Sequence, residues 1–347
     1  MGDRHPSTAG VIGLDVEFRD GLITSADIQP GHLHRAAEKL FEVRDYRSLI
    51  MLADRHDWLS SFSGELVVTG AIEHAMGLVP PPRATWLRTL LAECGRLHSH
   101  LSYLSHVSTG DTTTRLWSVV EGLRDAMQEW SGNRVHPMLN RVGGLAFDMP
   151  PQWPSMMGRV LRQLDAVAAE LQQDLERLEG RLGGLAVTDA DCCMQYGLSG
   201  PVARAAGLEL DLRGAGGLAY DDVFVSTPQR EGGDALTRFQ VLVDELTSSQ
   251  QMVQRCLDGA PGGDFSVRLS RRLKVPEGEH LSEIEAPWGM ASALLVSRGG
   301  QTPWRLALRT PTFANVSTLS ELLVGARENQ IADVVASMGY SIGDLDK

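Results

Sequence analysis

Between residues 155 and 182, Val160, Leu164, Val167, Leu171, Leu175, Leu178 and Leu182 recur every three or four positions, with acids, glutamines and arginines between them. Helical geometry places such positions on one stripe, so the segment reads as a long amphipathic helix whose apolar face other elements must cover. The spacing is not carried through further heptads, which favours a bundle core over a coiled-coil partner. The same period returns in 112–131, through Leu116, Val119, Val120, Leu123, Met127 and Trp130 up to Gly132. It returns again in 235–257, through Leu236, Phe239, Leu242, Val243, Leu246, Val253 and Leu257. Another helix is expected over 83–107, restarting at Pro80-Pro81-Pro82 after a stop at Gly77. Leu33 to Gly77 is helical in pattern with breaks near Tyr46 and Asp57, and a last helical stretch runs from about 316 to 338.

Strand patterning is confined to the two ends. Residues 11–28 alternate, with Val16 and Phe18 set against Asp15 and Glu17, and the break at Asp20-Gly21 predicts a hairpin. Ala293-Leu294-Leu295-Val296 and Leu306-Ala307-Leu308 flank Arg298-Gly299-Gly300-Gln301 as a second hairpin, and Arg134 to Pro154 is a loop punctuated by glycine and proline. The expected fold class is mainly α. A β-hairpin region (1–30), a central helical bundle (31–260) and a C-terminal α/β region (261–347) form one integrated domain.

A length of 347 residues with 43% apolar and 22% charged side chains excludes disorder and fibres. The net charge of −12 leaves nothing to hold a polyanion, so nucleic acid is not a partner. No stretch reaches the roughly 20 apolar residues of a spanning helix, and the N-terminus lacks signal-peptide order, which predicts a cytoplasmic chain. Cys94, Cys192, Cys193 and Cys256 contain no C-x-x-C and read as reduced, mostly buried thiols rather than a disulfide framework or a zinc or iron–sulfur ligand set. His98, His100 and His106 share a helix but not a face, so no metal site is expected there. His32 and His34 flank Leu33 at a helix start, where a cap or surface role is the default. Gly143-Gly144, Gly216-Gly217 and Gly299-Gly300 lie in loops without the strand-to-helix context of a nucleotide cradle. Periodicity and motif rules reach a soluble helical bundle and no activity.

A family shows in the short blocks taken in order. They are Arg4-His5-Pro6-Ser7-Thr8-Ala9-Gly10, the run from Gly31-His32-Leu33-His34-Arg35 to Leu40, Asp54-Arg55-His56-Asp57-Trp58, Pro80 to Ala84, and Ser131-Gly132-Asn133-Arg134-Val135-His136. They continue with Gly143-Gly144, Gly197-Leu198-Ser199-Gly200-Pro201, Asp211-Leu212-Arg213, Glu285-Ala286-Pro287-Trp288-Gly289, Leu295 to Gly300, and Ala332 to Ala336. In this order the chain resembles the D (49 kDa) subunit of the NADH–quinone oxidoreductases of the respiratory complex I type, itself akin to the large subunit of nickel–iron hydrogenases. The resemblance implies a hydrogenase-large-subunit-like helical bundle with a small N-terminal β-sheet. It implies a subunit that binds no cofactor itself and packs against an iron–sulfur small subunit carrying a [4Fe–4S] cluster, the two shaping the pocket where quinone is reduced. Such a complex would hold the chain peripherally on the cytoplasmic side of the membrane. Where the hydrogenase relatives carry two C-x-x-C pairs, this chain has Arg55-His56-Asp57-Trp58 and Gly339 to Asp344, so thiolate ligation of nickel is excluded.

The resemblance also locates departures at the quinone pocket. The His of the N-terminal loop in ordinary members is Ala9 here, and the Tyr of their R-x-D-Y motif is Trp58. An Asp that they place just after the counterpart of His106 is replaced by Val107-Ser108-Thr109, and a stretch before the strand preceding Glu285 is largely missing between Gly259 and Pro276. Ala9, Trp58, Ser108 and Thr109 therefore mark an altered quinone pocket. Arg55 and His136 match positions that approach the small subunit's cluster, with pairing to Asp54 or Asp57 and satisfaction by backbone as their structural alternatives. Arg35 and Glu38 are expected in the same polar interior. Two readings follow: a redox subunit with an altered acceptor site, or a non-redox scaffold that keeps the fold and the subunit interface.

Overall fold

The computed structural model describes residues 12–347. Strands β1 (Gly13–Arg19) and β2 (Leu22–Gln29) form the expected antiparallel hairpin. Its two-residue turn, Asp20 and Gly21, takes φ 52° and 79°, the left-handed pair that matches strand twist. Between Leu33 and Gly77 the helical pattern becomes α1 (Ala37–Glu42), α2 (Leu49–Ala53) and α3 (Ser61–Met76). Gly77 ends α3 at φ 58°, and α4 (Pro82–Leu104) opens on a proline, whose missing N–H costs nothing at a helix start. Helix α5 (Gly110–Ser131) ends at Gly132, also left-handed.

Two short pairing segments, β3 (Asn140–Arg141) and β4 (Gly144–Leu145), interrupt the loop before α6 (Trp153–Arg177), and a turn at Leu178 separates α6 from α7 (Glu179–Leu182). Then come α8 (Ala190–Tyr196), α9 (Gly200–Ala205), α10 (Tyr220–Val223) and α11 (Ala235–Gly259). Asp234 caps α11 by accepting from the Thr237 amide. The C-terminal third holds β5 (Gly278–Ala286), β6 (Gly289–Ser297) and β7 (Arg305–Arg309), then α12 (Pro311–Ser317), α13 (Leu319–Leu322), α14 (Ile331–Ser337) and α15 (Ile342–Leu345).

The molecule is mainly helical with small sheets. Helices α4, α5, α6 and α11 pack side by side, and the stripe that defines α6 faces inward, with Leu164, Leu171 and Leu175 fully buried. A second apolar cluster lies between α3 and the β5–β6–β7 sheet, where Val67, Val68 and Ala71 meet Ala293, Leu295 and Leu306.

Two expectations are corrected here. The expected C-terminal hairpin is present as the antiparallel pair β6–β7, but it is extended to a three-stranded sheet, because β5 pairs with β6 from Gly278–Ser297 through Ala286–Gly289. The strand is charged and half-exposed along most of its length, so alternation did not reveal it. The helical stretch expected over about 316–338 is broken into the end of α12, α13 and α14 in series. The chain turns at Gly325, φ 84°, so that the Gly325 amide donates to the Ile23 carbonyl (2.8 Å) and the Ile23 amide donates to that of Ala326 (2.9 Å). Pairing with β2 takes up the Gly325 amide and the Ala326 carbonyl, which no local periodicity can announce.

Candidate functional site

The site is built where α2 ends and α3 begins. Gly64 lets the two helices touch: a β-carbon there would stand 2.2 Å from the Ala53 carbonyl oxygen. The intervening turn, Asp54 to Ser60, carries Arg55, His56, Asp57 and Trp58. Asp54 is fully buried, with Oδ2 3.2 Å from Arg55 Nε and 2.8 Å from His136 Nδ1. The ring nitrogen of His136 also lies 3.1 Å from the Asp54 carbonyl oxygen. His136 is held there because Asn133 Oδ1 accepts from the Val135 and His136 amides, each at 3.0 Å, and Ser61 Oγ donates to the Val135 carbonyl at 2.5 Å. Arg55 and His136 reach the surface, with 47% and 22% of their side chains exposed, while the carboxylate between them does not.

Beneath Asp54 lies Glu65 of α3, also fully buried. Its Oε2 accepts from the Asn140 amide (2.7 Å), whose side chain in turn donates to Thr69 Oγ1 (2.6 Å). Burial, and then the neighbouring Asp54 carboxyl, push Glu65 well above the ordinary carboxylate range.

The rest of the turn points inward. Asp57 accepts from the Leu59 and Ser60 amides at 3.0 and 3.2 Å and faces Asp344 of α15. Burial and the Asp344 charge push Asp57 up to about 7, and burial pushes Asp344 up to about 6 although hydrogen bonding by Thr312 and the Lys347 charge oppose it. His56 is lowered to about 4 by burial and then by the Arg35 and Lys347 charges. Half-buried Trp58 lies against the Gly343 Cα. Its other side lines an apolar cavity with Leu59, Phe62, Cys94, Leu123 and Met127. His98 shares that wall. It is lowered to about 4 by burial, with Nδ1 2.8 Å from the Leu59 carbonyl oxygen and Nε2 accepting from Arg124 at 3.1 Å.

Other expected site residues are placed differently. Ala9, with the loop Ser7 to Gly10, lies outside the described residues, so the approach of Trp58 to that loop does too. Ser108 Oγ is engaged by Ser105 and Thr113, and Thr109 donates to Asp174 through its amide and hydroxyl. Both belong to the turn between α4 and α5, and neither lines the cavity beside Trp58. The polar interior expected for Arg35 and Glu38 is corrected as well. Arg35 is exposed, and Glu38 is spent on β7, accepting from the Leu308 amide at 2.8 Å and from Arg305 at 2.5 Å.

Sequence reasoning assigned no role to the largest buried charge network. Glu93 and Arg96 of α4, Arg204 of α9, Arg213, Glu245 of α11 and Glu285 of β5 interlock: Arg213 Nη1 lies 3.2 Å from Glu93 Oε2, and Arg204 bridges Glu245 (2.6 Å) and Glu285 (2.8 Å). The surrounding arginines hold Glu93 and Glu245 below the usual carboxylate range despite full burial. The one available signal was Glu93 and Arg96, three residues apart on the apolar face of a helix. The network fixes helices to the sheet, with Arg96 donating to the Glu285 and Ala286 carbonyls of β5. Among the described residues no three His, Cys, Asp or Glu side chains converge as a metal site. Burial also raises the thiols of Cys94 and Cys256, the latter up to about 12, so both stay protonated in the core.

This arrangement joins two chain segments around a cation and an imidazole that share one buried carboxylate. The model of the respiratory-chain NADH dehydrogenase 49 kDa subunit family matches residues 109–271 and 266–347, and the chain belongs to that family. Among its relatives, the NADH-quinone oxidoreductase D subunit 2 of Salinispora tropica is 42% identical over 357 residues, covering all of this chain and 92% of that protein. The NADH-quinone oxidoreductase D subunit 1 of Streptomyces coelicolor is 41% identical over 364 residues, covering all of this chain and 94% of that protein. The NADH-quinone oxidoreductase D subunit of Geobacillus thermodenitrificans is 32% identical over 357 residues, again across the whole chain and 97% of that protein.

Proposed function

We propose that the chain is the subunit of a complex I-like NADH–quinone oxidoreductase that packs against an iron–sulfur small subunit, with a fold of the hydrogenase-large-subunit type. Support for that fold comes from the meeting of the Arg55–Trp58 turn with the Gly339–Asp344 segment, the two places where the hydrogenase relatives carry metal-binding cysteines. The observation that carries the functional reading is the pair Arg55 and His136, both partly exposed and anchored by the same buried carboxylate of Asp54. A fixed cation and a titratable imidazole at an interface stabilise the reduced form of a cluster held by the partner and raise its potential. The chain itself holds no cofactor and is not catalytic alone. Its place is peripheral, on the cytoplasmic side of the membrane, reached through the complex. No helix among the described residues is long and apolar enough to cross a membrane.

The acceptor site is altered from that of ordinary quinone-reducing members. Where they carry a Tyr hydroxyl this chain carries the indole of Trp58, and where they carry a His it carries Ala9. An indole only donates, and a methyl does neither. The scaffold reading, in which electron transfer is lost and assembly kept, is favoured by the way Trp58 is built into the packing against Gly343.

One experiment separates the two. The complex assembled with its small subunit is titrated by electron paramagnetic resonance, with Arg55→Met and His136→Ala compared with the unmodified chain. A fall in the cluster midpoint potential on the order of 60 mV, a tenfold change for a one-electron couple, is expected for either change. An unaltered potential in both, or a small subunit without a cluster, leaves the scaffold reading.

A further inference from the structure

Neither Asp54 oxygen, nor Oε1 of Glu65, receives a hydrogen bond of sound geometry from the described residues. All three are buried, and the two carboxyls face each other across the junction that Gly64 closes. Two carboxylates in contact without a donor between them are strongly unfavourable in a low-dielectric interior, so one proton must lie between them. Arg55 comes from the same turn as Asp54. His136 comes from the loop after α5, and Arg141 and the Asn140 amide come from β3. Arg55 and His136 sit toward Asp54, whereas the Arg141 charge acts on Glu65 and opposes its protonation, and the Asn140 amide donates to Glu65 Oε2.

We propose that Glu65 is a positioning residue: through a proton shared with Asp54 it fixes the carboxylate on which both Arg55 and His136 rest. The inference rests on the cluster-facing role proposed for those two groups, but its chemistry concerns only this chain. When the proton is present, Asp54 Oδ2 is left to the two surface groups. When it is lost, two negative charges repel within the same packing, Asp54 turns toward solvent and its cations, and the loop from Asn133 to Asn140 loosens. Burial also makes Glu65 hold a proton far more tightly in the folded chain than in the unfolded one. The folded pKa lies above the unfolded one. The stability that Glu65 contributes is therefore complete below the unfolded value and is lost as pH rises toward the folded one.

The test uses the full chain. Glu65→Gln keeps the shape and supplies a permanent donor to Asp54, so its melting temperature, relative to the unmodified protein, is expected to rise between about pH 5 and about pH 8, by about 2 °C. Its infrared difference spectrum at neutral pH should lose one buried carboxylic acid band. Hydrogen exchange of residues 133–140 should be faster in Asp54→Asn and Glu65→Ala and restored in Glu65→Gln. A pH-independent gap, an unchanged carboxylic acid band, or equal exchange in Glu65→Gln and Glu65→Ala would overturn the proposal. None of these readouts involves the partner. If they hold while the cluster potential ignores Arg55 and His136, the proton pair stands and the reading of the surface falls. In the opposite case only the positioning role is lost.

Discussion

Gly343 and Trp58 are in direct contact: a β-carbon on Gly343 would stand 2.5 Å from the indole Cζ3 and 2.3 Å from the carbonyl oxygen of the neighbouring His56. This close approach ties the C-terminal segment to the α2–α3 turn and sets where the indole lies. Gly343→Ala is expected to cost about 1–3 kcal/mol, read as a lower urea midpoint at unchanged slope. A backbone oxygen cannot rotate out of the way, so adding Trp58→Phe should leave most of that loss in place. Full recovery in the double variant would show that the indole alone limits the space.

The carboxyls of Asp57 and Asp344 make a pH-dependent contribution whose sign follows from their environment. Both are raised in the fold, to about 7 and about 6, by burial and, at Asp57, by the neighbouring charge. Their contribution to stability is complete below the unfolded values near 4 and declines as pH passes through about 6 to 7. Asp344→Asn cannot ionise, so it is expected to flatten the fall in unfolding free energy between about pH 5 and about pH 8, by on the order of 2 kcal/mol. Parallel profiles for the two proteins would contradict the assignment.

Arg88 and Glu73 form a buried two-point pair, Nη1–Oε2 2.8 Å and Nη2–Oε1 2.7 Å. The pair also holds the Gly143 turn, because Glu73 Oε1 accepts from the Gly143 amide (2.6 Å) and Arg88 donates to the Arg141 carbonyl (2.8 Å). Arg88→Met alone should cost about 3–5 kcal/mol, since it leaves a buried carboxylate unpaired. Adding Glu73→Gln should recover part of the loss, giving a favourable coupling in a double-mutant cycle. Additive losses would mean that the two charges act independently.

The altered acceptor site is tested by reversing the two substitutions. In the assembled complex, Ala9→His with Trp58→Tyr restores two hydrogen-bonding groups, each worth about 1–3 kcal/mol at a quinone carbonyl. Improved quinone binding or reduction is expected. Efficient quinone reduction by the unmodified complex would show that other residues bind the acceptor.

Much of the fold was legible because its signals are local. The stripe from Val160 to Leu175 appears as one buried face of α6, and Gly77, Gly132 and the Asp20-Gly21 turn take the left-handed angles their residue types suggest. The candidate site was legible only in part. Arg55, His136 and Trp58 stood out through their place in family blocks, whereas Glu65 reads in the sequence as one of two acids, with Glu73, in a mostly apolar helix.

What the sequence by itself determined is the long helices α4, α5, α6 and α11, with their apolar faces and approximate ends, because side-chain period and backbone angle preference act within a few residues. Only the tertiary structure decided which polar groups are buried together: Asp54 with Glu65 and His136, Asp57 with Asp344, and Glu93 with Arg213, whose charges are 120 positions apart. It also decided that the chain breaks at Gly325 to pair with β2 and that β5 joins the sheet. The physical reason is common to all of these. The cost of burying a charge or a strand edge is met by a partner distant in the chain, and the identity of that partner is fixed by packing and not by spacing.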